Sequence, residues 1–126
     1  MHLHHAAVWV DHHEAKIFHV DDKGFDVATI HSPHRHVRRH SIETAEHDHP
    51  ADAERFYHEV AKHLENVEKI LIVGPATAKL ELVKHLHKHH HALVPRVIGV
   101  ETVDHPTDGQ MAAYVRRYLL ENDRMG

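Results

Sequence analysis

The stretch Lys69-Ile70-Leu71-Ile72-Val73, running into Gly74-Pro75, constrains the fold more than any other part of this sequence. It is apolar without alternation, so it predicts a strand covered on both faces, in the middle of a sheet with helices on either side. Proline has no N–H to give to a ladder, so the strand must end there. The flanks agree with this reading. Pro50 suits the first turn of a helix over 50–66, with Ala53, Phe56, Tyr57, Val60, Leu64 and Val67 as its buried stripe. A second helix is predicted over 76–91, with Leu82, Val83, Leu86 and Leu93 facing inward. Residues 97–103 form a last strand. Thr107 and Gln110 then make a T-x-x-Q capping box for a third helix ending near Glu121.

The first third predicts a meander of three strands, over 6–10, 15–20 and 25–31. Asp11-His12-His13-Glu14 forms the first turn, and Asp21-Asp22-Lys23-Gly24 ends the second in a glycine suited to positive φ. The element order is strand, strand, strand, helix, strand, helix, strand, helix. It predicts an α/β fold: a single mixed five-stranded sheet, an antiparallel meander followed by parallel strands, with three helices packed on its faces. The natural candidate is a ribonuclease H-like sheet whose first strand is central. At 126 residues, one domain over 1–126 is expected.

Composition narrows the chemistry. There is no cysteine, which excludes disulfides, thiolate metal sites and cysteine nucleophiles and fits a reducing cytoplasm. The opening Met1-His2-Leu3-His4-His5-Ala6 does not read as a secretory signal, and no apolar run is long enough to span a bilayer, so no membrane role is expected. Twenty residues are histidine, spread from His2 to His105. The formal charge is −4 with histidine neutral and rises by up to twenty units as the imidazoles protonate. An anionic partner would therefore meet a different protein below pH 6 than above it.

The segment from Lys69 to Lys79, read as strand, Gly74-Pro75 and helix start (Ala76-Thr77-Ala78-Lys79), resembles the corresponding part of the middle domain of Pelota and the archaeal–eukaryotic class 1 release factors. The opening strand followed by Asp11, the meander, the polar loop and the element order are similar too. His105-Pro106-Thr107-Asp108-Gly109-Gln110 is also similar to a segment of short bacterial stand-alone relatives labelled translational machinery or host-attachment proteins. The resemblance implies a release-factor middle-domain-like fold near translation or RNA. Release factors place a Gly-Gly-Gln tripeptide, used in peptidyl-tRNA hydrolysis, in the loop after the third strand. Residues 32–49 contain neither glycine nor glutamine, and Gln110 belongs to a predicted helix start. Hydrolysis is therefore not expected.

Three sets of residues carry candidate chemistry. His34, Arg35, His36, Arg38, Arg39 and His40 form a basic stretch in the long loop, where forked guanidinium donors suit phosphate oxygens. Lys79, at the start of the second helix, adds a cation there. The same loop carries Glu43, Glu46 and Asp48, and no interleaved aromatic for base stacking. His85 and His89, and likewise His87 and His91, are four apart on the second helix, so each pair can face one ion. His90 is expected to pack toward the core. Spacing supplies no third ligand, so adventitious zinc or nickel binding is the expectation and no resident cofactor is assigned. Asp11-His12-His13-Glu14 reads more simply as a turn than as a ligand cluster.

A two-metal nuclease needs converging carboxylates. Asp11 could serve, with Glu54 or Glu59, but Gly74-Pro75 occupies the strand end where a second acid would stand. The chain is therefore read as no enzyme. The leading expectation is a translation-associated domain that binds RNA or a ribosomal component through the His/Arg loop. A histidine-rich metal-binding protein is one alternative, and a protein that self-associates through an edge strand is another.

Overall fold

The computed structural model describes residues 5–21, 23–32 and 50–125. In chain order the elements are β1 (His5–Val10), β2 (Glu14–Val20), β3 (Phe25–His31), α1 (Pro50–Lys62), β4 (Lys69–Gly74), α2 (Ala78–His89), a 3₁₀ segment (His91–Arg96), β5 (Val97–Thr102) and α3 (Asp108–Met125). The strands form one sheet in the order β3-β2-β1-β4-β5. β1 is central, antiparallel to β2 and parallel to β4, and β5 runs parallel to β4. The mixed α/β sheet expected from the sequence is the observed one.

Alternation along the central strands divides the core in two. Val8, Val10, Ile17, Ile70 and Ile72 point to one face, where α1 brings Phe56 and Val60, the turn after it brings Leu64, and α2 brings Leu82 and Leu86. Ala7, Trp9, Phe18, Leu71 and Val73 point to the other, under Met111, Val115 and Leu119 of α3. β4 is buried from Ile70 to Gly74, as an unbroken apolar run requires. Each large aliphatic side chain fully removed from water contributes roughly 1.5–3 kcal/mol before entropy is counted. No described helix is long and apolar enough to cross a membrane.

Two glycines sit where backbone must pass close to another element. A Cβ at Gly74 would run into the carbonyl oxygen of Val10, so only glycine lets the ends of β1 and β4 approach. A Cβ at Gly99 would overlap the hydroxyl of Tyr118, which lies over β5 and donates to Glu101 Oε2 at 3.1 Å.

The structure departs from the sequence expectations at three joints. The β2–β3 turn does not use a positive φ at Gly24. Asp21 closes it instead, with Oδ1 accepting from the N–H groups of Lys23 (2.9 Å) and Gly24 (3.0 Å) while its own N–H donates to Gly24 O. α1 stops at Lys62 rather than near Asn66, because the chain tightens into three-residue turns, Leu64 N to Ala61 O and Val67 N to Leu64 O. Arg96 fastens that turn by donating to the carbonyls of Glu65 and Val67. α2 ends at His89 because His90 leaves helical geometry (φ −138°, ψ 57°), and the 3₁₀ segment with Pro95 follows. The capping box of α3 is formed as expected: Gln110 N donates to Thr107 Oγ1, and Thr107 N donates to Gln110 Oε1.

Candidate functional site

The most chemically loaded region among the described residues lies along the seam between α1 and the end of α2. On α1, the inward stripe through Phe56, Tyr57 and Val60 leaves Glu54 and His58 on the flank, one turn apart. On α2, Leu82 and Leu86 face the sheet, so His85 is carried into the seam and His89 lies one turn further on. Where the helix breaks, His90 turns back across the seam. Its Nε2 lies 3.1 Å from Nδ1 of His58.

His85 is the centre of this group. The residue is only 8% exposed, and its Nε2 is buried without a hydrogen-bond partner. Its ring lies 4.8 Å from that of His89, 5.2 Å from that of His90 and 5.9 Å from that of Tyr57, centroid to centroid. One ring nitrogen from each of His58, His85 and His90 lies within 4.8 Å of those of the other two. At the rim, His89 Nε2 approaches Glu54 Oε2 at 3.7 Å. An open depression at the seam is lined by Glu54, Arg55, His58, His85, His89 and His90.

The electrostatics follow from the crowding. Burial, and then the neighbouring His89 and His90, push the His85 pKa down to about 4, with Glu54 opposing weakly. His90 is lowered as well, first by burial and then by His58 and His89. Both rings are therefore neutral at pH 7, each with a lone pair to offer. Beside them, Glu81 of α2 ties the elements together: it accepts from the Tyr57 hydroxyl at 2.9 Å, and its other oxygen lies 3.3 Å from His12 Nε2 in the β1–β2 turn.

The sequence-predicted candidates fall into place unevenly. Of the two four-apart pairs, His85 and His89 do meet in the seam, their rings tilted by 44°. His87 and His91 stand edge-on at 6.3 Å on the exposed side, with no third ligand gathered among the described residues. His90, expected to pack toward the core, is instead half-buried and engaged with His58. His58 was not singled out by any spacing, because its neighbours in the cluster come from another helix. Lys79, expected as a solvent-facing cation, is 7% exposed and its Nζ donates to the carbonyl of Ala76. It therefore secures the start of α2 and is withdrawn from solvent. Asp11 acts as the turn residue: its Oδ1 accepts from the N–H groups of His13 (2.8 Å) and Glu14 (2.9 Å). His34, Arg35, His36, Arg38, Arg39 and His40 lie outside the described residues.

Sheet order, central β1 and helices on both faces together define the fold of the release-factor middle domain. Among solved structures, Pelota from Archaeoglobus fulgidus matches with a TM-score of 0.67 at 13% identity, over 94% of this chain and 32% of that one. Pelota from Thermoplasma acidophilum matches with a TM-score of 0.59 at 20% identity, over 85% of this chain and 30% of that one. An archaeal translation termination factor matches with a TM-score of 0.55 at 13% identity, over 95% and 40%. The chain thus spans about a third of the length of the proteins it is similar to, and the likeness is one of fold. No protein-family model and no curated protein matches the sequence.

Proposed function

We propose that this chain is a translation-associated binding domain of the cytoplasm, one that holds RNA or a ribosomal component and catalyses no reaction. The observation that carries this reading is the match to Pelota over 94% of the chain. Two features of the chain itself support the non-catalytic part. Residues 32–49 lack the Gly-Gly-Gln tripeptide that the family resemblance associates with peptidyl-tRNA hydrolysis. The carboxylate at the end of β1, on Asp11, is occupied by the backbone of its own turn. Arg35, Arg38 and Arg39 would supply contacts to phosphate oxygens, and His34, His36 and His40 would add charge as pH falls.

Fluorescence polarisation with ribosomal RNA fragments tests this. Three phosphate contacts would weaken binding roughly 20- to 40-fold between 50 and 200 mM salt. Affinity should rise from pH 7.5 to pH 5.5, and the double variant Arg38→Glu, Arg39→Glu should lose about tenfold or more, since two charges are reversed. Binding that is absent, or indifferent to both salt and these substitutions, removes the reading.

A further inference from the structure

We propose that His58, His85 and His90 form a three-imidazole site for a divalent transition ion of the zinc class, set in the seam between α1 and the end of α2. This goes beyond the RNA-binding reading and does not depend on it. Three observations bear on the site. The first is convergence of donors from separate places in the chain: α1 supplies His58, the last turns of α2 supply His85, and the helix break supplies His90, with nitrogens within 4.8 Å of one another.

The second is the orphaned Nε2 of His85. Polar atoms buried without a partner are uncommon in folded proteins, because their lost hydration is not returned. Here the atom is buried in a residue 8% exposed, beside two other imidazoles. A metal ion would satisfy it where the present neighbours do not. The third is the distance between His58 Nδ1 and His90 Nε2, 3.1 Å. Two nitrogens each about 2.0–2.1 Å from a tetrahedral zinc stand about 3.3 Å apart. Two of the three ligands are therefore already spaced for one ion, and side-chain rotation of His85 would bring in the third.

The donor set decides the ion class. Neutral imidazoles suit zinc, nickel, cobalt and copper, whereas magnesium and calcium require oxygen ligands. With three protein ligands, a tetrahedral ion keeps one position for water or an outside donor. Glu54 lines the same depression, beside His89, and places a carboxylate near the ion's charge. This set differs from the four-apart pairs expected on α2: His85 is retained, but its partners come from across the seam.

Isothermal titration of the full chain with zinc chloride is the test, since weak surface binding is inevitable with twenty histidines. The expected result is one site per chain tighter than about 1 μM, separable from weaker multisite heat. His58→Ala and His90→Ala should each weaken that site at least about tenfold, and His85→Leu should abolish it. His87→Ala combined with His91→Ala should leave it intact. Cobalt in place of zinc should give the intense visible absorption of a four-coordinate ion, lost in His58→Ala. His58 is exposed, so that variant keeps the fold, which melting in the presence of chelator verifies. Weak multisite heat alone, or a tight site unchanged by both His58→Ala and His90→Ala, overturns the proposal.

Discussion

On the α3 face of the sheet, Trp9, Phe18, Leu71 and Val73 pack beneath Met111, Val115 and Leu119. On the opposite face, Val8, Ile17, Ile70 and Ile72 pack beneath two helices, α1 and α2. The apolar centres are alike, and both are closely buried. Their polar margins are not. At the edge of the α3 face, Trp9 Nε1 donates to the carbonyl of Asp104 at 2.6 Å, and Lys16 Nζ meets Asp108 Oδ1 at 3.3 Å near the start of α3. At the edge of the other face, the seam between two helices gathers imidazoles, one of which leaves a buried nitrogen unmatched. At the first margin these two donors are met by the fold itself. At the second, the buried Nε2 of His85 is met by none, and the metal site proposed above is built on it.

The largest effects should show that the two centres are equivalent. Phe18→Ala on the α3 face should cost about 3–5 kcal/mol, and Leu82→Ala on the other about 2–5 kcal/mol, read from denaturant unfolding. A loss below about 1 kcal/mol at either would break the equivalence.

Tyr57→Phe comes next and tests the helix seam. Removing the hydroxyl that donates to Glu81 should cost about 1 kcal/mol near pH 7. Burial, and then the Glu81 carboxylate, raise the Tyr57 pKa well above its ordinary 10.0. The folded protein therefore holds that proton more tightly than the unfolded chain does. The associated stability is complete below pH 10 and is lost as pH rises beyond it. Unfolding measured from pH 8 to 11 should show a decline in the parent protein that is shallower in Tyr57→Phe. Identical slopes would detach Tyr57 from the seam.

The smallest effects discriminate best between the margins. Trp9→Phe keeps a ring but removes the indole donor, and should cost about 1 kcal/mol. His85→Leu, measured with chelator present, should be near neutral or slightly stabilising, because it removes a polar atom that has no partner. If His85→Leu costs as much as Trp9→Phe without metal, the two margins are equally satisfied and the contrast fails.

Most of the sheet could be read from local pattern. The unbroken run of β4, the Gly74-Pro75 stop and the Thr107–Gln110 box each depend on neighbours a few residues away, and each appears as expected. The site was half legible. Four-residue spacing paired His85 with His89, since helix geometry alone enforces that contact. It could not supply His58, which reaches His90 only because α1 and α2 pack on one face. Nor could it foresee that His90 would break from the helix, a change of one residue's backbone that redirects its ring. Lys79 illustrates the opposite error. A lysine at a helix start looks like a free cation in sequence, yet here its stem is buried and its ammonium turned onto a carbonyl.

The central position of β1 has a consequence for how the molecule is made. Its parallel neighbour β4 lies far downstream, and at roughly 5–20 residues per second the stretch between His5–Val10 and Lys69–Gly74 takes seconds to emerge. During that interval the newborn chain can form its antiparallel hairpins and α1, while the edge of β1 that β4 will cover stays unpaired. Only the arrival of β4 closes that edge, so the length of chain between the two strands sets how long it stays open.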